Sequence, residues 1–208
     1  YFDNLSRLTM DELITQGESI DRAFIDTALE EYLPGLRLLS GQVGPELLQG
    51  DSAADLYIAV TQLAGLFDHL VIRVDAAHTH DWLRAIGANL SRVINVIHPA
   101  VDQVQASKTL LGDMAEWLSE DCKVLVVVDG YEKRASLSLA DIEKTIERRC
   151  DLTLPLEWRY RLDSINAGVP MSHLLYKSSY HRSLGGFVRK HYAGNAEPRK
   201  FTLKRVAS

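Results

Sequence analysis

Residues 124–134 read Val-Leu-Val-Val-Val-Asp-Gly-Tyr-Glu-Lys-Arg, and this stretch decides the fold. Aliphatic residues without polar alternation describe a strand buried on both faces, the habit of parallel sheets covered by helices. The run stops at Asp129 and Gly130, residues that favour a turn. Working outward, further apolar runs occupy Leu36 to Leu39, His69 to Val74 and Arg92 to Ile97, and a shorter one, Leu152 to Leu154, halts at Pro155. Helical patterns separate them. Strand, helix, strand in repeated order predicts an α/β fold: a mostly parallel sheet with helices on both faces.

The helices carry end signals. Ile20, Phe24, Ala28 and Leu29 share one face of a helix that begins near Ser19 and ends before Pro34 and Gly35. Ser52 is the expected cap of the next, where Leu56, Ala59, Val60, Leu63 and Leu66 recur at helical spacing. Pro99 is expected to open a longer one carrying Val101, Val104, Leu111, Met114 and Leu118. Ser138 and Asp141 have capping-box spacing ahead of Ile142 and Ile146. Gly185 and Gly186 fall inside a late helical pattern and read as a packing or hinge feature.

With 208 residues, 46% hydrophobic and 25% charged, the chain has the proportions of a globular protein large enough to hold a core without a disulfide or a metal. Cys122 and Cys150 accordingly read as reduced thiols of a cytosolic protein. No apolar run approaches the roughly 20 residues of a membrane span. No signal-peptide pattern opens the chain. A first residue of Tyr1 rather than methionine suggests a longer chain from which this one derives.

Charge is uneven. Residues 177–208 hold eight Lys or Arg against the single acid Glu197, a balance of +7 that leaves −12 on the remainder within the total of −5. An acidic body disfavours nucleic acid, and no RNP, zinc-finger or helix-turn-helix pattern accompanies the basic end, so no nucleic-acid partner is expected. Phe201, Leu203 and Val206 interleave with Lys200, Lys204 and Arg205, which allows membrane contact through a basic tail, 195–208, following a domain of residues 1–194.

In open α/β sheets ligands sit outside the carboxyl ends of strands. Three such ends are polar here: Asp75 to Asp81, Asp129 to Arg134, and Leu154 to Glu157. An apolar strand ending in an acid is the arrangement that holds Mg²⁺ beside nucleotide phosphates, which makes Asp75 the candidate acid; capping of the following turn is the competing role. His78, His80 and Asp81 add metal-ligand types near Asp75, without a fixed metal motif. Neither a G-x-S-x-G elbow, a G-x-G-x-x-G turn nor a G-x-x-x-x-G-K-[ST] loop occurs.

Residues 68–75, Asp-His-Leu-Val-Ile-Arg-Val-Asp, resemble the acid-terminated strand of the MinD/ParA class of P-loop ATPases. Val124 to Val128, then Asp129 to Arg134 and Ser136 to Lys144, resemble the CpaE/TadZ branch, whose corresponding segment reads "LNRYDKRxxISLEDIEK". Leu154 to Glu157 with Ser164 to Pro170, and upstream Ile20 to Asp26 with Gly35 to Ser40, extend the similarity over about residues 18–192. The resemblance implies a MinD-like P-loop NTPase fold whose phosphate-loop strand would lie ahead of Tyr1. It also implies a cytoplasmic, homodimeric factor of tight-adherence pilus assembly, acting with the pilus secretion machinery at a cell pole or the inner membrane face. On the same basis Asp75 is the Walker B-like acid and would hold Mg²⁺ through the nucleotide, and nucleotide binding falls to Asp129, Leu154, Pro155 and Glu157. ATP and Mg²⁺ are the implied cofactors of the intact family, the alternative being that this chain carries neither. Two other readings stand beside it: an active ATPase regulating division or flagellar placement, and a scaffold that binds partners without nucleotide.

Overall fold

The computed structural model describes residues 8–39, 41, 43–174 and 178–192. The chain divides into two compact units, residues 8–86 and 87–192 among those described. The basic tail assigned to residues 195–208, and Lys177, lie outside the described residues.

In the first unit, α1 (Met10–Gln16), α2 (Arg22–Ala28), a hairpin of β1 (Glu31–Leu33) and β2 (Leu36–Arg37), α3 (Gly50–Leu66) and α4 (Thr79–Ile86) follow in order. Thr9 and Glu12 form a reciprocal capping box at α1, and the Asp21 carboxylate takes the Phe24 amide at 2.7 Å to start α2. Leu13, Ile25, Leu56 and Ala59 are fully buried, and α3 packs against α1 and α4.

Three expectations are corrected in this unit. Leu36 to Leu39 is no strand of a parallel sheet: only Leu36 and Arg37 are strand, antiparallel to β1. Pro34 followed by Gly35 at φ 79° is the composition of a type II turn, which sends the chain straight back. His69 to Val74 belongs to no ladder among the described residues, and Val71 is 83% exposed. Apolar composition alone does not make a strand, which also needs a hydrogen-bonded neighbour. Finally, α3 starts two residues before Ser52, with Gln49 in the cap position and no side-chain cap bond.

The second unit holds a parallel sheet of β3 (Arg92–Ile97), β4 (Lys123–Tyr131) and β5 (Leu152–Pro155), in that spatial order. β3 and β4 run in unbroken register from Arg92 opposite Lys123 to Ile97 opposite Val128. The β4–β5 register shifts between Asp129 and Tyr131, at Gly130, whose φ of 73° suits glycine. Parallel neighbours require crossovers, and helices supply them: α5 (Val101–Asp113) before β4 and α6 (Leu139–Ile146) before β5.

Alternation along β4 builds two half-cores. Val126 and Val128 pack with Ile97, Val104, Ile142 and Ile146 beneath α5 and α6. Leu125 and Val127 turn the other way, onto Leu154 and Phe187 of α8 (Ser179–Tyr192). The expected architecture is therefore present: an α/β protein with a parallel three-stranded sheet and helices on both faces. Among the described residues β3 forms one edge, and its Ile94 and Val96 are exposed.

Helix ends vary in how closely they follow the sequence. The Ser138–Asp141 box is formed, the Asp141 amide reaching Ser138 Oγ at 3.2 Å. Pro99 does not open α5; Ala100 occupies the cap, and the helix gives way at Asp113 to a short tight turn, Met114–Glu116, short of Leu118. Cys122 and Cys150 are free thiols, as expected.

Candidate functional site

The carboxyl ends of β3, β4 and β5 lie side by side, and each delivers one part of a rim. β3 hands over to His98, β4 ends in Asp129, Gly130 and Tyr131, and β5 ends at Pro155, ahead of the loop through Glu157 into α7 (Trp158–Ala167). Of the residues expected to bind nucleotide, Asp129, Leu154, Pro155 and Glu157 come together here because adjacent parallel strands end together.

Asp129 carries the strongest interaction of the rim. Arg161 of α7 holds its carboxylate in a two-pronged ion pair, Nη1 donating to Oδ2 at 2.9 Å and Nη2 to Oδ1. Both side chains are largely covered, 13% and 16% exposed. A bidentate pair of this kind is shorter and stronger than a neutral hydrogen bond. The Asp129 hydrogen bonds raise the Arg161 pKa above its ordinary value against the opposing effect of burial. The guanidinium also lies over the Tyr180 ring at 4.7 Å, tying α8 to the same point. Burial, then the nearby Asp129 charge, pushes the Tyr180 hydroxyl upward.

His98 bridges from the neighbouring strand. Its Nδ1 stands 3.0 Å from the Asp129 carbonyl oxygen, which can only accept, so Nδ1 carries the proton in that contact. The His98 amide donates to Gln103 Oε1 at 3.2 Å, and its imidazole is more than half exposed.

The β5 side supplies apolar surface. Leu154 is buried and Pro155 pairs across from Tyr131. The Glu157 carboxylate accepts the Ser179 amide at 3.0 Å and the Ser179 hydroxyl, capping α8. Burial works to raise its pKa, but the bonds from Ser179 and Ser178 together outweigh it and hold the carboxyl low. Leu156 and Trp158 are exposed and line an open depression of about 570 Å³ with Glu157, Arg159 and Tyr160. A Cβ on Gly130 would meet Leu156 Cδ1 at 3.5 Å, which places that leucine beside the β4 turn.

Asp75 stands in the unit of residues 8–86. Its Oδ1 accepts the Ala77 and His78 amides at 3.0 and 3.1 Å, and its carbonyl takes the Thr79 hydroxyl at 2.8 Å, so the residue shapes the turn into α4. Among the described residues no group of three or more His, Cys, Asp or Glu could hold a metal, which removes the His78, His80 and Asp81 cluster as a site. No described helix is long and apolar enough to cross a membrane.

His98, Trp158, Arg161 and Tyr180 were not marked by sequence reasoning. His98 directly follows an apolar run, a signal of the same kind as Asp129. Arg161 had none, since its partner is 32 residues away.

No protein-family model matches the sequence, and no curated protein matches it. Solved structures do. A ParA family ATPase from Chlorobium tepidum TLS superposes with a TM-score of 0.78 at 15% identity, over 89% of this chain and 76% of that one. A chain of the MinC:MinD cell division protein complex of Aquifex aeolicus gives 0.68 at 17%, over 98% and 78%. The cell division ATPase MinD of Pyrococcus furiosus gives 0.60 at 13%, over 90% and 77%. The chain thus has the fold of the ParA/MinD ATPases.

Proposed function

We propose that the protein is an assembly and localisation factor of the tight-adherence pilus machinery, built on a MinD/ParA-type fold, with nucleotide acting as a dimerisation switch in the intact protein. The observation that carries this reading is the rim itself: adjacent parallel strand ends gather His98, Asp129 and the loop from Leu154 to Glu157 where such sheets take ligands. ATP would lay its base against the apolar loop at Leu156 and Trp158. Asp75, whose Oδ1 accepts the two turn amides, is the proposed acid for Mg²⁺. The ion would supply charge neutralisation to the phosphates when bound. The protein works in the cytoplasm at a pole or the inner membrane face, as a homodimer beside the secretion machinery.

The test is genetic and physical together. Deleting the gene should remove surface pili, and sedimentation of the natural full-length protein should shift from monomer to dimer on adding Mg-ATP. Asp75→Asn keeps an oxygen acceptor for the turn but removes the charge, so it should abolish the shift without unfolding the chain. Normal piliation in the deletion strain would refute the role.

A second reading, a scaffold that binds partners without nucleotide, is favoured by one observation. The Asp129 carboxylate, in the position where the resembling family has an amide, is committed to Arg161.

A further inference from the structure

The rim contains an apolar surface and a polar group that is already taken, and these two facts bear on which nucleotide it accepts. Discrimination between purines depends on hydrogen bonds to the base edge: adenine presents an amino donor where guanine and hypoxanthine present a carbonyl acceptor. A side chain that reads this edge must have a free donor or acceptor aimed at it. Asp129 lacks that freedom. Both its oxygens are held by Arg161, the pair is largely covered, and Tyr180 backs the guanidinium at 4.7 Å. Its main-chain carbonyl is engaged as well, by His98 Nδ1 at 3.0 Å.

The neighbouring surface behaves differently. Leu156 is 49% exposed and Trp158 60%, both lining the depression beside Arg159, and Leu156 abuts the Gly130 turn. An exposed indole offers stacking, and stacking tolerates any base because every base has a π face. Arg159 adds a cation for an anionic substituent.

We infer that this rim takes purine nucleotides without distinguishing their bases: Trp158 holds the ring by stacking, while the ion pair with Arg161 keeps Asp129 from reading the ring edge. The inference rests on the nucleotide-switch reading and adds its selectivity.

The experiment is displacement of a ribose-labelled fluorescent ADP from the natural full-length protein by ATP, GTP and ITP. All three should compete within about threefold of one another. Trp158→Ala should weaken all three together by about tenfold or more, the range expected for loss of one base–aromatic stack. Trp158→Phe should restore most of that loss. Asp129→Asn, which substitutes an amide for the paired carboxylate, should move the ratio toward ATP. Preference of the parent for one base by more than about tenfold overturns the inference, as does unchanged affinity in Trp158→Ala or an unchanged ratio in folded Asp129→Asn. Should Asp129→Asn fail to fold, the parent ratios and the exposed Trp158 variants still decide. Absence of binding by any nucleotide overturns the nucleotide-switch reading together with the inference, an outcome distinct from selective binding, which overturns the inference alone.

Discussion

Arg161 grips Asp129 across 32 residues of sequence, joining the point where β4 leaves the sheet to the first turns of α7, and Tyr180 closes over the junction from α8. One guanidinium therefore fastens three elements around the rim.

Removing one partner of that pair strands the other's charge. Arg161→Met should destabilise the protein by about 3–5 kcal/mol, measured by denaturant unfolding, because a covered carboxylate loses its counter-charge. The double variant Asp129→Asn/Arg161→Met should recover part of the loss. With Asp129→Asn also measured alone, a double-variant loss equal to the sum of the two single losses would show that the pair is not coupled.

The core beneath α6 gives a simpler expectation. Ile142 is fully buried against the β4 valines. Ile142→Ala should cost about 2–5 kcal/mol, from lost burial and the cavity left behind. A shift in denaturation midpoint with unchanged slope is the supporting signature.

At the start of α6, Ser138→Ala should lower the melting temperature by roughly 2–4 °C through loss of the cap. The effect is pH-dependent. The Asp141 carboxyl is held below its ordinary value, chiefly by the Ser138 hydroxyl and then the Ser138 amide. A lowered folded-state pKa gives stability that is present above the unfolded value and disappears as pH falls through the folded one. The gap between parent and Ser138→Ala should accordingly narrow in acid, below the usual carboxylate range. Parallel melting curves from neutral to acid pH would contradict the box as drawn.

Cys150 acts at the opposite end of the scale. Burial first, then the Glu143 and Asp151 charges, push its thiol from 9.0 up to about 11. The unfolded chain ionises this thiol first, so the folded state loses ground as pH rises between those two values. The alkaline decline in stability should flatten in Cys150→Ala, and iodoacetamide should modify Cys150 slowly at pH 8 until denaturant is added.

These elements also show what a linear sequence conveys. The β4 run and the Ser138–Asp141 spacing were legible because their determinants are local: five aliphatic residues in a row, and a cap with its partner three positions on. His69 to Val74 has the same composition as a strand and yet joins no ladder, because pairing depends on a neighbour that composition does not name. Leu36 and Arg37 followed the turn before them rather than their own hydrophobicity. At the rim, Asp129 and the Leu154 to Glu157 loop were readable as strand ends. Arg161 and Tyr180 were not, since only the folded chain brings α7 and α8 over β4.

The border strand β3 has a practical consequence. It runs six residues, Arg92 to Ile97, without a proline, and turns Ile94 and Val96 to solvent. Outlying strands of this make-up are templates for unwanted polymer, and charged side chains are the usual deterrent. Val96→Lys should therefore raise the concentration at which the protein stays clear in storage, as light scattering would record, while leaving the far-UV spectrum intact.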